Sequence, residues 1–289
     1  METETKEELE IKENVEKTDE NTEKINKKKT KKRIKIFGIS LWRIFAYFII
    51  YSVVGFFVET TYGAVTKGLV ESRQSFLYGP FCAIYGLGAC VMIISLQKFK
   101  KSHNRLFIGG FIVGAITEYI VSYLGEVIFH VKWWDYSNRP FNINGRICVA
   151  FSVFWGILAM YLLGSLNPKI DKLINWIKKE LSHNMLKLAV ISIVIWMITD
   201  MVLTGYAIMY FMVRTIVNFD IDVKNKTEVV ELYNFIYSNE NKTKKIHKYF
   251  GDEKMITTFP RLKVEDINGN VIYFSDLYNE IQPYYYKVW

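Results

Sequence analysis

Histidine and cysteine are scarce in this chain of 289 residues, which contains four histidines and three cysteines. The histidines are scattered along the sequence and form no recognisable ligand spacing. The cysteines (Cys82, Cys90 and Cys148) lie inside or beside apolar segments, without metal-site spacing or an obvious disulfide partner. We therefore predict buried free thiols, no bound metal and no other cofactor.

The common catalytic and nucleotide-binding motifs are also missing. The sequence contains no G-x-x-x-x-G-K-[ST] loop, so we expect no ATPase activity from this chain itself. It contains neither H-E-x-x-H nor G-x-S-x-G, so the catalytic residues of any enzyme activity stay unknown. We expect no cleavable signal peptide, because the N-terminus is hydrophilic and the first apolar segment would itself direct insertion.

Long apolar segments, by contrast, are abundant. Hydrophobic residues make up 51% of the chain, and most of them lie between residues 39 and 214. About 20 apolar residues in a helix cross a bilayer core. Five segments reach that length: residues 40–65, 77–97, 106–129, 147–166 and 186–213. We therefore predict an all-α polytopic membrane protein with about five transmembrane helices in a domain spanning 39–214.

Polar segments flank this transmembrane domain. Residues 1–23 hold ten acidic residues against three lysines, which predicts a disordered cytoplasmic tail over residues 1–38. Residues 24–35 hold eight basic and no acidic residues, which we interpret as a flank of the first span and not as a nucleic-acid surface. Residues 215–289 resemble a soluble segment, and Asn268-Gly269 between two strand-like runs predicts a hairpin in a small α+β appendage.

Basic residues are distributed unevenly between alternate loops. Loops 98–105 and 167–185 each carry four lysine or arginine residues, and the other two loops carry two and three. Because cytoplasmic loops collect positive charge, we place the N-terminus in the cytoplasm and the C-terminus outside. The richness in lysine, isoleucine and asparagine is typical of AT-rich bacterial genomes, so we expect a multi-pass protein of a bacterial plasma membrane.

Loop 167–185 has a helical pattern of its own. Pro168 suits the first position of a helix, and the apolar residues that follow recur at helical spacing with lysines between them. This pattern predicts an amphipathic helix lying on the inner membrane surface. Docking of the same helix onto a cytoplasmic partner is the alternative.

Ionisable residues inside the predicted spans indicate a polar site, because they are costly in a bilayer unless they face the protein interior or water. The outer loops add charged, aromatic and amide side chains to them. The resulting candidate substrate-binding residues are Glu59, Arg73, Tyr78, Glu118, Glu126, Trp134, Asp135, Arg139, Asn142, Asn144, Arg146 and Asp200. The alternative is structural: Glu126–Arg146 or Glu59–Arg73 ion pairs would lock helices together, and Trp134 would lie at the membrane interface.

Several runs resemble the ABC-transporter type IV family of membrane proteins. They include GFFVET (55–60), FLYGP (76–80) after Arg73, WWDYSN (133–138) and FNINGRIC (141–148), within a resemblance that covers about residues 45–165. Gln74 and Ala83, at the start of the second span, depart from the family pattern. The resemblance implies a permease-like chain, with a separate ATPase bound at inner loops 98–105 and 167–185.

Three functions remain open at this point. The first is a membrane transport component, an ABC-type permease subunit with an outward-facing polar site. The second is an intramembrane enzyme acting on lipid or cell-envelope material, with Glu59 or Glu126 as general base and Arg139 or Arg146 holding an anionic group. The third is a sensor or assembly subunit with structural charges. Because five spans are few for a transporter, we expect a homo-oligomer or a partner chain, contact with membrane lipid, and no nucleic acid.

Overall fold

The structure, a computed structural model, describes residues 35–129 and 134–288. The predicted tail up to residue 34, most of the basic segment and residues 130–133 of the predicted second outer loop lie outside this range. The chain divides into two units, residues 1–41 and 42–289. In the first unit, β1 (Lys35–Ile36) and β2 (Ile39–Ser40) pair antiparallel around Gly38, whose φ of 89° suits a glycine in a tight turn.

Four helices in the described ranges are long and apolar enough to cross a membrane, and the fold is mostly helical. They are α1 (Leu41–Lys67), α3 (His103–Phe129), a continuous helix over Val149–Glu180, and α6 (His183–Asn218). Few residues of these helices are buried inside the protein, and many of the exposed side chains are apolar. Exposed apolar faces of this kind suit contact with lipid. This arrangement is that of a helical membrane protein.

The second predicted span is shorter as a helix than the sequence indicated, so the count of five spans is not established. Helix α2 covers Ala83–Leu96 and continues as a 3-10 turn, Gln97–Phe99. Residues 77–82 are apolar but not helical, because Gly79 has a φ of 82° and Pro80 follows it.

The fourth predicted span and the predicted surface helix form one continuous element. Helix α4 (Val149–Tyr161) passes through a π-helical turn, Leu162–Leu166, into α5 (Asn167–Glu180). The N–H of Asn167 bonds to the carbonyl of Leu162, five residues back. This wider turn accommodates Pro168, which has no amide hydrogen and crowds the preceding turn of a regular helix.

Helix α5 is amphipathic, as predicted, but part of its polar face forms hydrogen bonds with α1. Ile170 and Ile174 are buried, and Asp171 accepts hydrogen bonds from Arg43 (2.7 Å) and from the hydroxyl of Tyr47. The hydroxyl of Tyr51 donates to Asn167 at 3.0 Å. These contacts attach α5 to the first half of α1.

Close helix packing in the transmembrane region depends on glycine. A Cβ atom at Gly110 of α3 would lie 2.3 Å from the Cβ of Ala159 in α4, and one at Gly114 would lie 2.4 Å from the Cβ of Trp155. A Cβ atom at Gly86 of α2 would similarly meet Ser52 of α1 at 2.2 Å. The helices therefore approach more closely than any larger residue permits.

Residues 219–288 form a small α+β region that packs on the end of α6. Its elements are α7 (Lys226–Tyr237), α8 (Glu240–Tyr249), α9 (Asp252–Thr258), β6 (Lys263–Glu265), β7 (Val271–Tyr273) and α10 (Phe274–Leu277). Phe211 of α6 shares a core with Met255, Ile256 and Phe274. Strands β6 and β7 pair antiparallel around Asn268-Gly269, which confirms the predicted hairpin.

Two further contacts attach this region to the transmembrane helices. The buried guanidinium of Arg214 in α6 donates to Asp252 (3.0 Å), to the hydroxyl of Tyr237 (3.1 Å) and to the carbonyl of Phe250 (3.0 Å). Strand β8 (Tyr286–Lys287) pairs antiparallel with β3 (Leu69–Val70), which follows α1 directly. A segment near the C-terminal end of the described residues is therefore paired with the loop that follows α1.

Candidate functional site

The structure distributes the predicted site residues over three polar clusters and a loop. The α3 cluster comprises Glu118, Glu126, Trp134, Tyr136, Asn144 and Arg146. The α1 cluster comprises Glu59, Lys67, Glu71, Arg73, Tyr85 and Arg261. The α6 cluster comprises Tyr78, Asp200, Thr204 and Lys254. Asp135, Arg139 and Asn142 lie in the loop before α4.

Glu118 is the buried centre of the α3 cluster. Glu118 is a residue of α3, and only 6% of its surface is exposed. The hydroxyl of Tyr136 donates to Oε1 at 2.9 Å, and the indole N–H of Trp155 donates to Oε2 at 3.3 Å. Burial and the adjacent Glu118 raise the pKa of Tyr136 above its ordinary value, which keeps the phenol protonated as a donor. Two neutral donors therefore hold this carboxyl group.

Glu126 and Arg146 form an ion pair at 2.6 Å, as the structural alternative predicted. The guanidinium of Arg146 also lies over two rings of α3, with its carbon 5.8 Å from the ring centroid of Tyr119 and 5.5 Å from that of Tyr123. Tyr123 lies one turn and Tyr119 two turns before Glu126. The indole N–H of Trp134 donates to the carbonyl oxygen of Arg146 at 2.9 Å. Arg146 thus fixes the start of α4 against the C-terminal half of α3.

The loop between α3 and α4 uses its amide and acidic side chains for its own shape. Asn142 donates to the carbonyls of Ser137 (3.1 Å) and Arg139 (2.9 Å), and its Oδ1 accepts from Gly145 N–H (3.1 Å). Asp135 accepts two hydrogen bonds from Ser137.

Strands β4 (Asn142–Ile143) and β5 (Ile147–Cys148) close this loop. Asn144, between them, has a φ of 53° and donates to the hydroxyl of Tyr119 at 2.9 Å. Arg139 is exposed within the loop. The structure therefore separates these residues by role: Asn144 joins the α3 cluster, whereas Asp135 and Asn142 build turns.

Glu59 accepts a hydrogen bond from the hydroxyl of Tyr85 in α2 at 2.7 Å. The predicted direct Glu59–Arg73 pair is wrong, because Arg73 instead bonds to Glu71, two residues earlier, at 2.7 Å. Glu59 still lies within electrostatic range of Arg73, and both Glu59 and Glu118 lie within range of Tyr136. The α1 and α3 clusters are therefore neighbours.

Glu71 joins the loop after α1 to the α+β region. It is nearly buried and accepts from Arg73 and from Nε of Arg261, the latter at 2.9 Å. Burial and the adjacent Arg261 lower the pKa of Arg73 below its ordinary value. Sequence reasoning missed Arg261, because 190 positions separate it from Glu71 and no local pattern relates them.

Asp200 holds the non-helical segment before α2. Its Oδ2 accepts the backbone N–H of Tyr78 at 3.0 Å, and Thr204, one turn later, accepts the N–H of Leu77 at 2.8 Å. Lys254 of α9 donates to the Tyr78 hydroxyl at 2.9 Å, with its ammonium 4.1 Å from the ring centroid. Asp200 and Thr204 therefore each satisfy one backbone donor that the non-helical segment leaves unpaired.

Within the described ranges, no group of three or more His, Cys, Asp or Glu side chains is arranged to hold a metal ion. The three cysteines in those ranges are free and buried, as predicted.

Comparison with known proteins identifies the family. Residues 46–205 match the family described as "Putative ABC-transporter type IV". This match includes most of α1, all of α2 to α5, most of α6 and all twelve predicted site residues. No curated protein and no solved structure shows significant similarity to the chain. Since the match covers more than half of the 289 residues, this chain belongs to the ABC-transporter type IV family, as its sequence motifs indicated.

Proposed function

We propose that this chain is the membrane-embedded permease subunit of an ABC-type transporter, with an outward-facing polar site around Glu59, Glu118 and Tyr136. Family membership and the long apolar helices support a transport component. The observation that carries the polar site is the bond from Tyr136 to Glu118, which connects a carboxyl group inside an apolar helix to the polar segment beyond it.

The partners of the carboxyl groups favour Glu59 and Glu118 as the ones that meet a substrate. Glu126 is paired with Arg146 at 2.6 Å, so its charge is compensated within the chain. Glu59 and Glu118 accept hydrogen bonds from neutral tyrosine and tryptophan donors. Carboxyl groups kept inside a membrane without a bonded cation are typical of substrate and ion pathways.

The proposed topology retains five spans, with α2 as a short second one, a cytoplasmic N-terminus and a plasma-membrane location. In this topology the cytoplasmic face carries the basic loop 98–105 and helix α5. The side chains of Leu173 and Trp176 on α5 are exposed and would contact a separate ATPase. Because Asp171 of α5 bonds to Arg43, movement of α5 would be transmitted to α1, which carries Glu59.

Purification in mild detergent with mass spectrometry tests this proposal. We expect a protein with a nucleotide-binding motif to accompany the wild-type chain and to be lost from Trp176→Ala. Phe141→Ala is the matched control, since it truncates an exposed aromatic residue in the loop predicted to lie on the opposite face. Absence of any such ATPase from the wild-type preparation would contradict the permease assignment.

A sensor or assembly subunit is the second candidate. The Glu126–Arg146 and Glu71–Arg73 pairs favour it, because they compensate charge within the chain. The enzyme alternative is weaker for Glu126 as a general base, because its carboxylate is already engaged in an ion pair with Arg146. Loss of stability without loss of any bound molecule in Glu118→Gln would favour the structural role.

A further inference from the structure

The outer end of α1 concentrates positive charge. Lys67, the last residue of α1, lies within electrostatic range of Arg73, Arg261, Glu71 and Glu59. Two guanidinium groups bond to a single oxygen, Oε1 of Glu71. Three cationic side chains therefore surround two carboxyl groups, of which Glu59 is bonded to Tyr85 and not to a cation.

Two buried polar atoms on this side of α1 have no hydrogen-bond partner within the described part of the chain. They are Nε of Arg73 and Oγ1 of Thr60. A buried guanidinium N–H or hydroxyl without a partner is costly, and it indicates a water or ligand that supplies the missing contact.

The helix geometry places both atoms on one face. A Cβ atom at Gly63 would lie 2.9 Å from Nη2 and 3.4 Å from Nε of Arg73, so the guanidinium rests against α1 at this glycine. Thr60 precedes Gly63 by three residues and Lys67 follows it by four, spacings that share one helix face. Thr60, Arg73 and Lys67 thus present a hydroxyl, a guanidinium and an ammonium group along one short stretch of α1.

We propose that Thr60, Lys67, Arg73 and Arg261 form a binding site for a small oxyanion of the phosphate class. This inference rests on the proposed function, because Arg73 and Glu59 belong to the polar site proposed above, and it names the chemistry of its ligand. Guanidinium groups match the oxygens of phosphate in a two-pronged geometry, and a hydroxyl donor suits a third oxygen.

The charge balance favours a singly charged ligand. Three cations against two carboxylates leave an excess of one positive charge, which suits monobasic phosphate or a phosphodiester. Lys67 and Arg261 are the exposed members of the site. Arg261, with 43% of its side chain exposed, would close on the ligand from the α+β region. A free phosphate and a lipid headgroup present the same chemistry, so the test contains an arm for each source.

Thermal unfolding of the purified full chain in maltoside detergent measures binding, since a ligand bound only by the folded state raises the unfolding midpoint. The probes are inorganic phosphate and phosphatidylglycerol added to the micelles, with chloride at equal ionic strength as the reference. The variants are Thr60→Val and Arg73→Gln. The matched control is Arg43→Gln, which breaks an ion pair at the other end of α1.

We expect a saturable rise in the midpoint with one of the two probes, retained in Arg43→Gln and weakened about tenfold or more in apparent affinity in both site variants. A rise with phosphate identifies a free anion, and a rise only with phosphatidylglycerol identifies a headgroup. If Arg73→Gln does not fold, Thr60→Val decides, because it leaves the Glu71 ion pairs intact.

Two results would overturn the proposal: no saturable rise with either probe in the wild-type protein, or an equal rise in Thr60→Val and wild type. Neither result depends on an ATPase, so this inference fails or survives separately from the permease assignment.

Discussion

The phenol of Tyr136 donates a hydrogen bond to Glu118 at 2.9 Å and so links the polar loop before α4 to a carboxyl group buried in α3. The ring of Tyr136 is held in place by stacking on Phe151 of α4, with centroids 4.6 Å apart and planes 15° apart. One residue thus connects the loop, α3 and α4, and its hydroxyl is the part that contacts the proposed site.

Replacing Tyr136 with phenylalanine tests this link. The change retains the stacked ring but leaves Glu118 with only the Trp155 donor, so we expect the free energy of unfolding to fall by about 1–3 kcal/mol. Chemical denaturation in detergent measures it. Tyr206→Phe is the control, because Tyr206 is 52% exposed on α6. Equal stability of the two variants would show that the Tyr136 hydroxyl does not stabilise the fold.

The Glu126–Arg146 pair supports a double-mutant cycle. Since both side chains are partly accessible, we expect a coupling energy of about 1 kcal/mol or less between Glu126→Gln and Arg146→Gln. Arg146→Gln alone should be the more destabilising change, because it also removes the contacts with Tyr119 and Tyr123. Unfolding free energies of the two single variants and the double variant provide the measurement.

Arg146→Lys separates charge from stacking in the same cycle. Lysine retains the positive charge near Glu126 but lacks the planar group that lies over the two tyrosine rings. We expect its stability to fall between those of wild type and Arg146→Gln. A lysine variant as stable as wild type would assign the whole effect to charge.

Local features of this protein were predictable from sequence. The long apolar segments, the amphipathic pattern of α5 and the hairpin around Asn268-Gly269 follow from residue composition and spacing over short stretches. The Glu126–Arg146 pair was also foreseen, as an alternative, because topology brought both residues to the same end of neighbouring helices.

Contacts between distant segments were not predictable in the same way. Arg261 bonds to Glu71 and Lys254 bonds to Tyr78 across 190 and 176 positions, and only the folded chain brings each pair together. The Glu59–Arg73 pair, offered as one of two structural alternatives, does not form for a related reason: Arg73 bonds to Glu71, two residues earlier in the sequence. The roles of Asp200 and Thr204 in holding Tyr78 and Leu77 likewise depend on where this non-helical segment meets α6.

The close contact between α3 and α4 depends on Gly110. Its replacement by alanine can be compared with the same change at Gly205, which has open space around it. Gly110→Ala would place a Cβ atom 2.3 Å from Ala159 and 2.9 Å from the carbonyl of Trp155, so we expect clear destabilisation, about 1–3 kcal/mol from overpacking. Gly205→Ala is the control, because no atom lies within 4 Å of a Cβ there. It should instead be neutral or raise stability by up to about 1 kcal/mol through helix propensity.

Unfolding midpoints in detergent measure both glycine variants. The two changes add the same methyl group to a helix, so their difference isolates the packing at Gly110. Equal midpoints would contradict the close approach of α3 and α4 that the structure shows.

Acid should weaken the β6–β7 hairpin through Asp266. Hydrogen bonds from the side chain and backbone of Asn270 lower the pKa of Asp266 below its ordinary value. Because the folded pKa lies below the unfolded one of about 3.9, the stabilisation is complete above that pH and is lost as the pH falls through the folded value. Carboxyl carbon titration by NMR should give a midpoint below about 3.9. Asp266→Asn should remove the acid-dependent loss of the hairpin, and a midpoint at or above the unfolded value would contradict the argument.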